Sequence, residues 1–397
     1  MSGPLEGIKV LDLTWVLSGP FATMILSDLG AEVIKVERPK VGDIARGNGP
    51  HINGLSTYFL SLNRGKESLT LDLNSERGRA ILLRLVERVD VIVENFTPGT
   101  MAKWGLDYET MKQRNPKLIY AACSGFGQKG PYARKLAFDV IVQAMGGIMS
   151  VTGEPGGPPV RPGTSIGDIA AGLFLCIGIL AALQERHKSG LGQMLDISML
   201  DCQTAIMENA IVRYLATGEV PQAIGTRHPV FSPFGVFPTR DSYIAVAMMG
   251  GVRDQWPLYC ATIGCLDIID DKRFETGWLR TQHYAELEPV LIAAMKKKTT
   301  QEWLEQLEEV GIACGPLNTI DKVAADPQIK EREMIIEVNH PQAGSFKVAG
   351  TPIKLSRTAA KIEKASPDLG EHTRQILGEY LAMTEAELIE LEHDNIT

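Results

Sequence analysis

The chain has 397 residues, of which 44% are hydrophobic and 22% are charged, as is usual for a soluble globular protein of one or two domains. With 40 Lys and Arg against 48 Asp and Glu, its formal net charge is −8, which argues against general nucleic-acid binding because that needs a basic surface. The six cysteines form no CxxC pair, which favours reduced thiols in a cytoplasmic protein and argues against a structural metal site.

The N-terminal part of the chain alternates strand-like and helix-like segments. Ile8–Thr14 and Glu32–Glu37 are rich in β-branched residues, and Gly19–Gly30 between them has helical spacing. The order continues to Asp90–Glu94 and Leu118–Cys123, which predicts an open, doubly wound α/β domain with a mostly parallel sheet. Ligands of such sheets gather at the carboxyl ends of the strands, which here carry Val16–Ser18, Arg38, Asn95–Thr97 and Ser124–Gly130.

A loop that ends at Asp168 precedes the longest apolar run, Ile169–Leu183. The run is shorter than the roughly 20 residues of a membrane span, so it predicts a core helix and no membrane contact. Asp168 stands where an N-cap belongs, and one interpretation is that it only caps the helix. The other is that it is a nucleophile, because a helix N-terminus favours an ionised carboxylate and can offer N–H groups to an oxyanion.

The composition changes after Gly218, where a segment rich in aromatic residues, Pro and Gly begins. Residues 1–218 are therefore predicted to form the first part of a large α/β domain, and residues 225–318 a smaller α+β domain. The tail, residues 319–397, carries the strand-like segments Ser345–Ala349 and Pro352–Leu355 and is expected to return to the large domain. The N-terminal residues contain no basic or apolar segment, so no secretory signal is expected.

Six segments resemble the class III CoA-transferases, a family that includes formyl-CoA, acetyl-CoA:oxalate and succinyl-CoA-dependent transferases. They occur in the family's order over essentially the whole chain. The resemblance implies an interlocked, ring-like homodimer whose substrates are coenzyme A, an acyl-CoA and a small carboxylate, with no metal. The segments are Gly7–Thr14, Gly30–Glu37, Val93–Phe96, Ser124–Gln128, Gly225–Pro229 and Gly370–Thr373.

The same resemblance makes Asp168 the nucleophile that attacks the thioester of the donor acyl-CoA, through aspartyl anhydride and aspartyl-CoA thioester intermediates. The implied donor is of the acetyl-, succinyl- or formyl-CoA type, and the acceptor is oxalate or a four- or five-carbon diacid. Two departures weaken the formyl and oxalate assignments. Leu17 replaces a glutamine of formyl-CoA transferase, and only Gly250 and Gly251 remain of its glycine-run loop.

Coenzyme A contacts carry over by position from the family. Arg38 suits a nucleotide phosphate or the face of adenine, although Arg38 and Lys103 could equally be solvated surface charges. The implied contacts are Val16, Leu17, Ser18, Arg38, Leu71, Asp72, Leu73, Asn74, Asn95, Phe96, Thr97, Lys103 and Ala137.

An acceptor pocket is expected to contain cations that bind a second carboxylate. Arg46, Arg227 and His228 are the candidates, with Tyr58 and Phe138 as lining residues. The alternative is that Arg46 closes a loop and His228 is a turn histidine whose ring is fully hydrogen-bonded.

Two other functions remain open from the sequence. The α-methylacyl-CoA racemases are similar in fold, but they need two bases; here Phe138 stands in place of a His, and Met248–Gly251 in place of a segment with a Glu. Because a Phe cannot accept a proton, the racemase is disfavoured. A non-catalytic acyl-CoA-binding protein is the other alternative, and the presence of Asp168 argues against it.

Overall fold

The computed structural model describes residues 3–249, 255–362 and 364–397. The chain forms two compact units, the first from Met1–Ile148, Pro162–Thr217 and Pro327–Thr397, and the second from Met149–Arg161 and Gly218–Asp326. The smaller domain predicted at residues 225–318 lies within the second unit, which also takes residues 149–161. The predicted tail, residues 319–397, is divided between the units at Pro327.

The described residues form the following strands and helices. The strands are β1 Lys9–Asp12, β2 Glu32–Glu37, β3 His51–Ile52, β4 Leu55–Ser56, β5 Glu67–Thr70, β6 Val91–Glu94, β7 Ile119–Ser124, β8 Met194–Ser198, β9 Phe234–Pro238, β10 Tyr243–Ala247, β11 Ala313–Pro316, β12 Ile335–His340 and β13 Gly344–Ala349. The α-helices are α1 Ser18–Asp28, α2 Thr57–Leu62, α3 Glu76–Val86, α4 Thr100–Lys103, α5 Tyr108–Arg114, α6 Asp139–Met145, α7 Ile166–Ser189, α8 Met199–Ile206, α9 Glu208–Thr217, α10 Trp256–Ile263, α11 Gly277–Gln282, α12 Tyr284–Met295, α13 Thr300–Glu309, α14 Ile320–Ala325, α15 Pro327–Glu331, α16 Thr373–Leu381 and α17 Glu385–His393.

The first unit is built on a six-stranded sheet of order β5-β2-β1-β6-β7-β8, in which every pair is parallel. The predicted parallel α/β architecture is thus confirmed. Alternate residues along each strand enter the hydrophobic clusters on opposite faces of the sheet, as in Val10 and Leu11 of β1. The strand order reverses direction at β1 and β6, so the crevice at their carboxyl ends is the place where such a fold binds ligands.

Helix α7 packs against α1 and the sheet through one face, and its last turn carries Arg186, His187 and Lys188 before the left-handed Gly190 ends it. By length and composition alone it could cross a membrane, but half of its most apolar window is buried inside the protein. The packing supports a core helix. The prediction of a buried helix holds for one face only, because Leu173, Phe174 and Ile177 are exposed.

The second unit contains an antiparallel sheet of order β11-β10-β9 and the helices α10 to α13. Its core includes Trp256, Tyr259 and Trp303, all almost fully buried. In the C-terminal part of the first unit, β12 and β13 form a hairpin that contains the predicted Ser345–Ala349 strand. The predicted strand at Pro352–Leu355 is wrong: this exposed segment pairs with no strand, and a proline offers no N–H to a sheet.

Candidate active site

The carboxyl end of β1 is anchored by a fully buried carboxylate, Asp12. Its oxygens accept hydrogen bonds from the backbone N–H of Thr14 at 2.9 Å, from the Thr23 hydroxyl at 2.7 Å and from Lys66 Nζ at 2.9 Å. Burial alone would raise the pKa of Asp12, but Lys66 and Lys35 hold that pKa well below its usual range. The end of β1 is therefore tied to α1 by the Thr23 hydroxyl and to the start of β5 by the Lys66 ion pair.

The next turn carries a strained residue at a predicted coenzyme A contact. Val16 has a φ of 65°, a left-handed conformation that is rare for a β-branched residue. Its N–H donates to both carboxylate oxygens of Asp43 at 3.2 Å, and Asp43 forms a buried ion pair with Lys35 at 3.0 Å. Leu17 and Ser18 follow, and both residues are buried.

A cleft of about 380 Å³ opens at the carboxyl ends of β1, β2, β5 and β6. Six of the predicted coenzyme A contacts line this cleft, namely Arg38, Leu71, Leu73, Asn74, Phe96 and Thr97. The lining residues are Leu13, Thr14, Trp15, Val36, Glu37, Arg38, Gly42, Asp43, Leu71, Leu73, Asn74, Phe96, Thr97, Thr100 and Trp104.

Several other predicted contacts do not line this cleft. Lys103 is exposed on α4, and Ala137 packs so tightly on Gly125 that a Cβ at that glycine would approach the Ala137 Cβ to 2.1 Å. Asp72 accepts a hydrogen bond from the N–H of Asn74 at 3.0 Å and so shapes the turn after β5. The carboxamide of Asn95 holds the Trp15 backbone, accepting from its N–H at 3.0 Å and donating to its carbonyl at 2.9 Å.

Sequence reasoning predicted Phe96 but missed Trp15 and Trp104, which complete an aromatic wall of the cleft. The rings of Trp15 and Phe96 lie 5.8 Å apart, and Trp104 meets Phe96 edge-on at 5.4 Å. Flat rings of this kind suit a stacked heterocycle such as adenine. Their positions in the sequence could have indicated them: Trp15 lies three residues after β1, and Trp104 immediately follows α4, the first helix after β6.

Arg46 is engaged by the protein itself. Its Nε and Nη2 donate to the two carboxylate oxygens of Glu37, each at 2.7 Å, and its guanidinium lies 3.7 Å over the Phe59 ring. Burial would raise the pKa of Glu37, but Arg46 and Lys35 lower it. This geometry matches the alternative in which Arg46 closes a loop, because its two parallel N–H donors already bind Glu37. A role for Arg46 toward a substrate carboxylate stays a prediction.

Asp168 lies in the first turn of α7 as its third residue and is half-buried. The N-cap is Ser165, so the prediction that Asp168 is the N-cap is wrong. The helix begins earlier because the carbonyl of Ser165 already accepts from the N–H of Ile169 at 3.0 Å. The N–H of Gly167 donates to Oδ1 of Asp139 at 2.9 Å, so a carboxylate from α6 caps this helix from outside.

The phenol of Tyr58 lies within electrostatic range of Asp168. Burial raises the pKa of Tyr58 to about 12, with further contributions from the negative charges of Asp168, Asp43 and Asp139. Tyr58 is therefore a neutral hydrogen-bond donor near the predicted nucleophile. Phe138, in contrast, is 75% exposed, and its place in an acceptor pocket stays a prediction.

The pair Arg227 and His228 belongs to the second unit. Nδ1 of His228 accepts from the N–H groups of Val230 at 3.1 Å and Phe231 at 3.2 Å, and its ring stacks on Phe234. Arg227 donates from Nε to the Ile224 carbonyl at 2.9 Å. This geometry matches the turn-histidine alternative, and a substrate role for either residue stays a prediction.

Two expectations reach the limits of what is described. Gly250 and Gly251, the remnant of the family's glycine run, lie outside the described residues. Within residues 3–249, 255–362 and 364–397, no group of three or more His, Cys, Asp or Glu side chains is arranged to hold a metal ion.

Comparisons with known proteins show which family the chain resembles over most of its length. A family model described as CoA-transferase family III matches residues 5–373. The mouse succinyl-CoA:glutarate CoA-transferase is 39% identical over 389 residues, covering 98% of this chain and 89% of that one. The acetyl-CoA:oxalate CoA-transferase of Acetobacter aceti is 41% identical over 382 residues, covering 96% of each chain. A crystal structure of a CAIB/BAIF family protein from Brucella suis superposes with a TM-score of 0.85 at 39% identity, covering 96% of this chain and 100% of that one.

Proposed function

The chain belongs to CoA-transferase family III and is an enzyme of the CoA-transferase class, and from this premise we propose that it moves coenzyme A from a donor acyl-CoA to a small carboxylate through covalent intermediates on Asp168. The observation that carries the proposal is the position of Asp168. It is a half-buried carboxylate in the first turn of a 24-residue helix, where the helix dipole favours the anion.

The proposed reaction begins when a carboxylate oxygen of Asp168 attacks the thioester carbon of the donor. The C–S bond breaks, coenzyme A leaves as a thiolate, and an acyl-aspartyl anhydride remains. The thiolate then attacks the aspartyl carbonyl carbon, which releases the donor acid and leaves an aspartyl-CoA thioester.

The acceptor repeats these steps in the opposite sense. Its carboxylate attacks the aspartyl thioester, releasing the thiolate and forming a second anhydride, and the thiolate then attacks the acceptor's acyl carbon and frees Asp168. Each attack places negative charge on a carbonyl oxygen, which a hydrogen-bond donor stabilises. The neutral phenol of Tyr58 is the side chain that we assign to this role.

The names of relatives favour diacid chemistry. Relatives are named for succinyl-CoA with glutarate or D-citramalate, and for acetyl-CoA with oxalate. We assign acetyl-CoA or succinyl-CoA as donor, in preference to formyl-CoA, and a small dicarboxylate as acceptor. The buried, apolar side chain of Leu17 supports this preference because it has no amide to offer an acid.

We further propose that the enzyme is a homodimer. Helices α6, α7, α8 and α9 adjoin one another in sequence order and expose many large apolar side chains. Monomeric proteins rarely leave large apolar patches uncovered, so a second copy of the chain is the occupant that we assign. The exposed residues are Val140, Ile141, Met145, Leu173, Phe174, Ile177, Ile206, Val212, Tyr214 and Leu215.

Exchange of coenzyme A between acids tests the function. The enzyme is incubated with acetyl-, succinyl- or formyl-CoA and a panel of mono- and dicarboxylates, and the acyl-CoA products are identified by mass. We expect a new acyl-CoA only when donor and acceptor are both present, and none with the Asp168→Asn variant. Hydrolysis without exchange would contradict the proposal, as would deuterium uptake at the α-carbon of 2-methylacyl-CoA without transfer.

A further inference from the structure

The turn between β1 and α1 is held by side chains from other elements. Lys35 Nζ donates to the carbonyl of Thr14 at 2.7 Å, and the carboxamide of Asn95 brackets the backbone of Trp15. The chain after β1 therefore has very little conformational freedom before it reaches Val16.

At Val16 the surrounding side chains hold the backbone in an unfavourable conformation. Left-handed backbone is unfavourable for a β-branched residue and persists only where the surroundings impose it. Asp43 imposes it, because both of its carboxylate oxygens accept from the Val16 N–H at 3.2 Å. The Asp43 side chain is 1% exposed, and Lys35, 0% exposed, supplies its charge partner at 3.0 Å.

This turn leads directly into α1, which packs against α7, the helix that carries Asp168. Leu17 is the N-cap of α1, and Ser18 is its first residue. A Cβ at Gly172 would approach the Ser18 carbonyl oxygen to 2.7 Å, so the start of α1 lies against α7 one turn after Asp168. A change in the backbone at Val16 would thus alter the spacing between the predicted coenzyme A contacts and Asp168.

We propose that Asp43, supported by Lys35, is a positioning residue for coenzyme A transfer, which holds Val16 in its left-handed conformation and so fixes Leu17 and Ser18 against α7, one turn after Asp168. The inference rests on the proposed function for its catalytic consequence. Asp43 acts in it through the backbone and forms no bond with a reacting atom.

The test compares Asp43→Asn with a matched variant, Asp107→Asn. Both aspartates cap a helix, Asp43 through the N–H of Ala45 at 2.9 Å and Asp107 through that of Thr110 at 3.1 Å. Only Asp43 also holds Val16. Asn at position 43 keeps only one acceptor oxygen for the N–H groups of Val16 and Ala45 and leaves Lys35 without the Asp43 anion. We therefore expect kcat to fall about 100-fold in Asp43→Asn, the scale of a small misplacement of reacting groups, and to stay unchanged in Asp107→Asn.

A second substitution separates positioning from a general loss of structure. Glycine adopts positive φ without strain, so Val16→Gly added to Asp43→Asn should restore kcat by roughly tenfold. If Asp43 were merely structural, the added glycine would loosen the chain and lower kcat and Tm further. Should Asp43→Asn not fold, Lys35→Met with Asp43→Asn removes both buried charges together and takes its place with the same expectations.

Failure of the inference can be distinguished from failure of the proposed function. If the wild type transfers coenzyme A but Asp43→Asn behaves like Asp107→Asn, or Val16→Gly gives no recovery, the positioning role is overturned. If the wild type transfers nothing, the proposed function fails, and calorimetric titration with coenzyme A still tests the clamp. Weaker binding in Asp43→Asn that Val16→Gly restores supports the clamp, and unchanged binding overturns it.

Discussion

The starts of helices α1 and α7 lie against each other, yet they are built differently. The α1 start follows a turn held by Asp43 and by Asp12, two buried carboxylates that are paired with lysines. In the first turn of α7, by contrast, the N–H of Gly167 donates to the carboxylate of Asp139, and Asp168 is half-buried. Buried charge pairs thus hold the start of one helix, whereas the start of the other carries the carboxylate that we propose as the nucleophile.

The largest expected effect comes from removing the carboxylate that α7 presents. Asp168→Asn should lower the rate of coenzyme A transfer by about 10³-fold or more, because an amide is a poor nucleophile. Because Asn has nearly the volume of Asp and the carboxylate of Asp139 still caps the helix, the Tm should change little. Steady-state kinetics and thermal unfolding check the two halves of this prediction, and near-normal transfer would leave Asp168 a structural residue only.

Breaking a buried ion pair before α1 should instead lower the free energy of unfolding. Asp12→Asn leaves Lys66, 0% exposed in its side chain, without its anionic partner, and removal of one member of a buried pair costs about 3–5 kcal/mol. The matched control is Glu390→Gln, which breaks the exposed pair with Arg77 and should cost less than about 1 kcal/mol. Urea unfolding measures both, and equal free energies of unfolding for the two variants would remove the contrast between the two helix starts.

The support of α7 can be weakened without touching Asp168. Asp139→Ala deletes the acceptor for the Gly167 N–H, which should cost about 1 kcal/mol, as does the loss of an N-cap. We expect kcat to fall about tenfold because the first turn becomes looser. Asp139→Asn keeps an acceptor oxygen and should recover most of that loss, whereas equal kinetics for the two variants would contradict a capping role.

The smallest effect concerns Glu94 at the end of β6. Burial raises its pKa from 4.5 to about 8, although the N–H of Phe96 donates to the carboxylate at 2.8 Å. The folded state thus keeps a proton on Glu94 that the unfolded chain releases. The contribution of Glu94 to the free energy of unfolding is therefore complete below the unfolded pKa and is lost as the pH rises through about 8.

In Glu94→Gln the carboxyl group is replaced by an amide that does not titrate. Its Tm should therefore fall less than that of the wild type between about pH 6 and about pH 9. Parallel decline of the two proteins in thermal scans across that range would show that Glu94 is ionised in the folded state.

The parallel sheet and much of its ligand-binding edge could be predicted from the sequence because strand periodicity and the strand-end rule are local or topological. The ion pairs could not, since Asp12 and Lys66 lie 54 positions apart and many charges could have been their partners. The start of α7 at Ser165 could not be predicted either, because the carboxylate that caps it comes from Asp139, 28 positions from Gly167. Arg46 illustrates the same limit: its partner Glu37 is visible only once the loop is folded.

The most direct test of the central claim is a map of the covalent adduct. The enzyme is incubated with acyl-CoA and no acceptor, treated with hydroxylamine or borohydride, and digested for mass spectrometry. We predict modification of a single residue, Asp168, in the peptide that spans Thr164 to Phe174, and none in Asp168→Asn. An adduct on another carboxylate, or transfer at a normal rate with no adduct, would contradict the assignment of Asp168 as nucleophile.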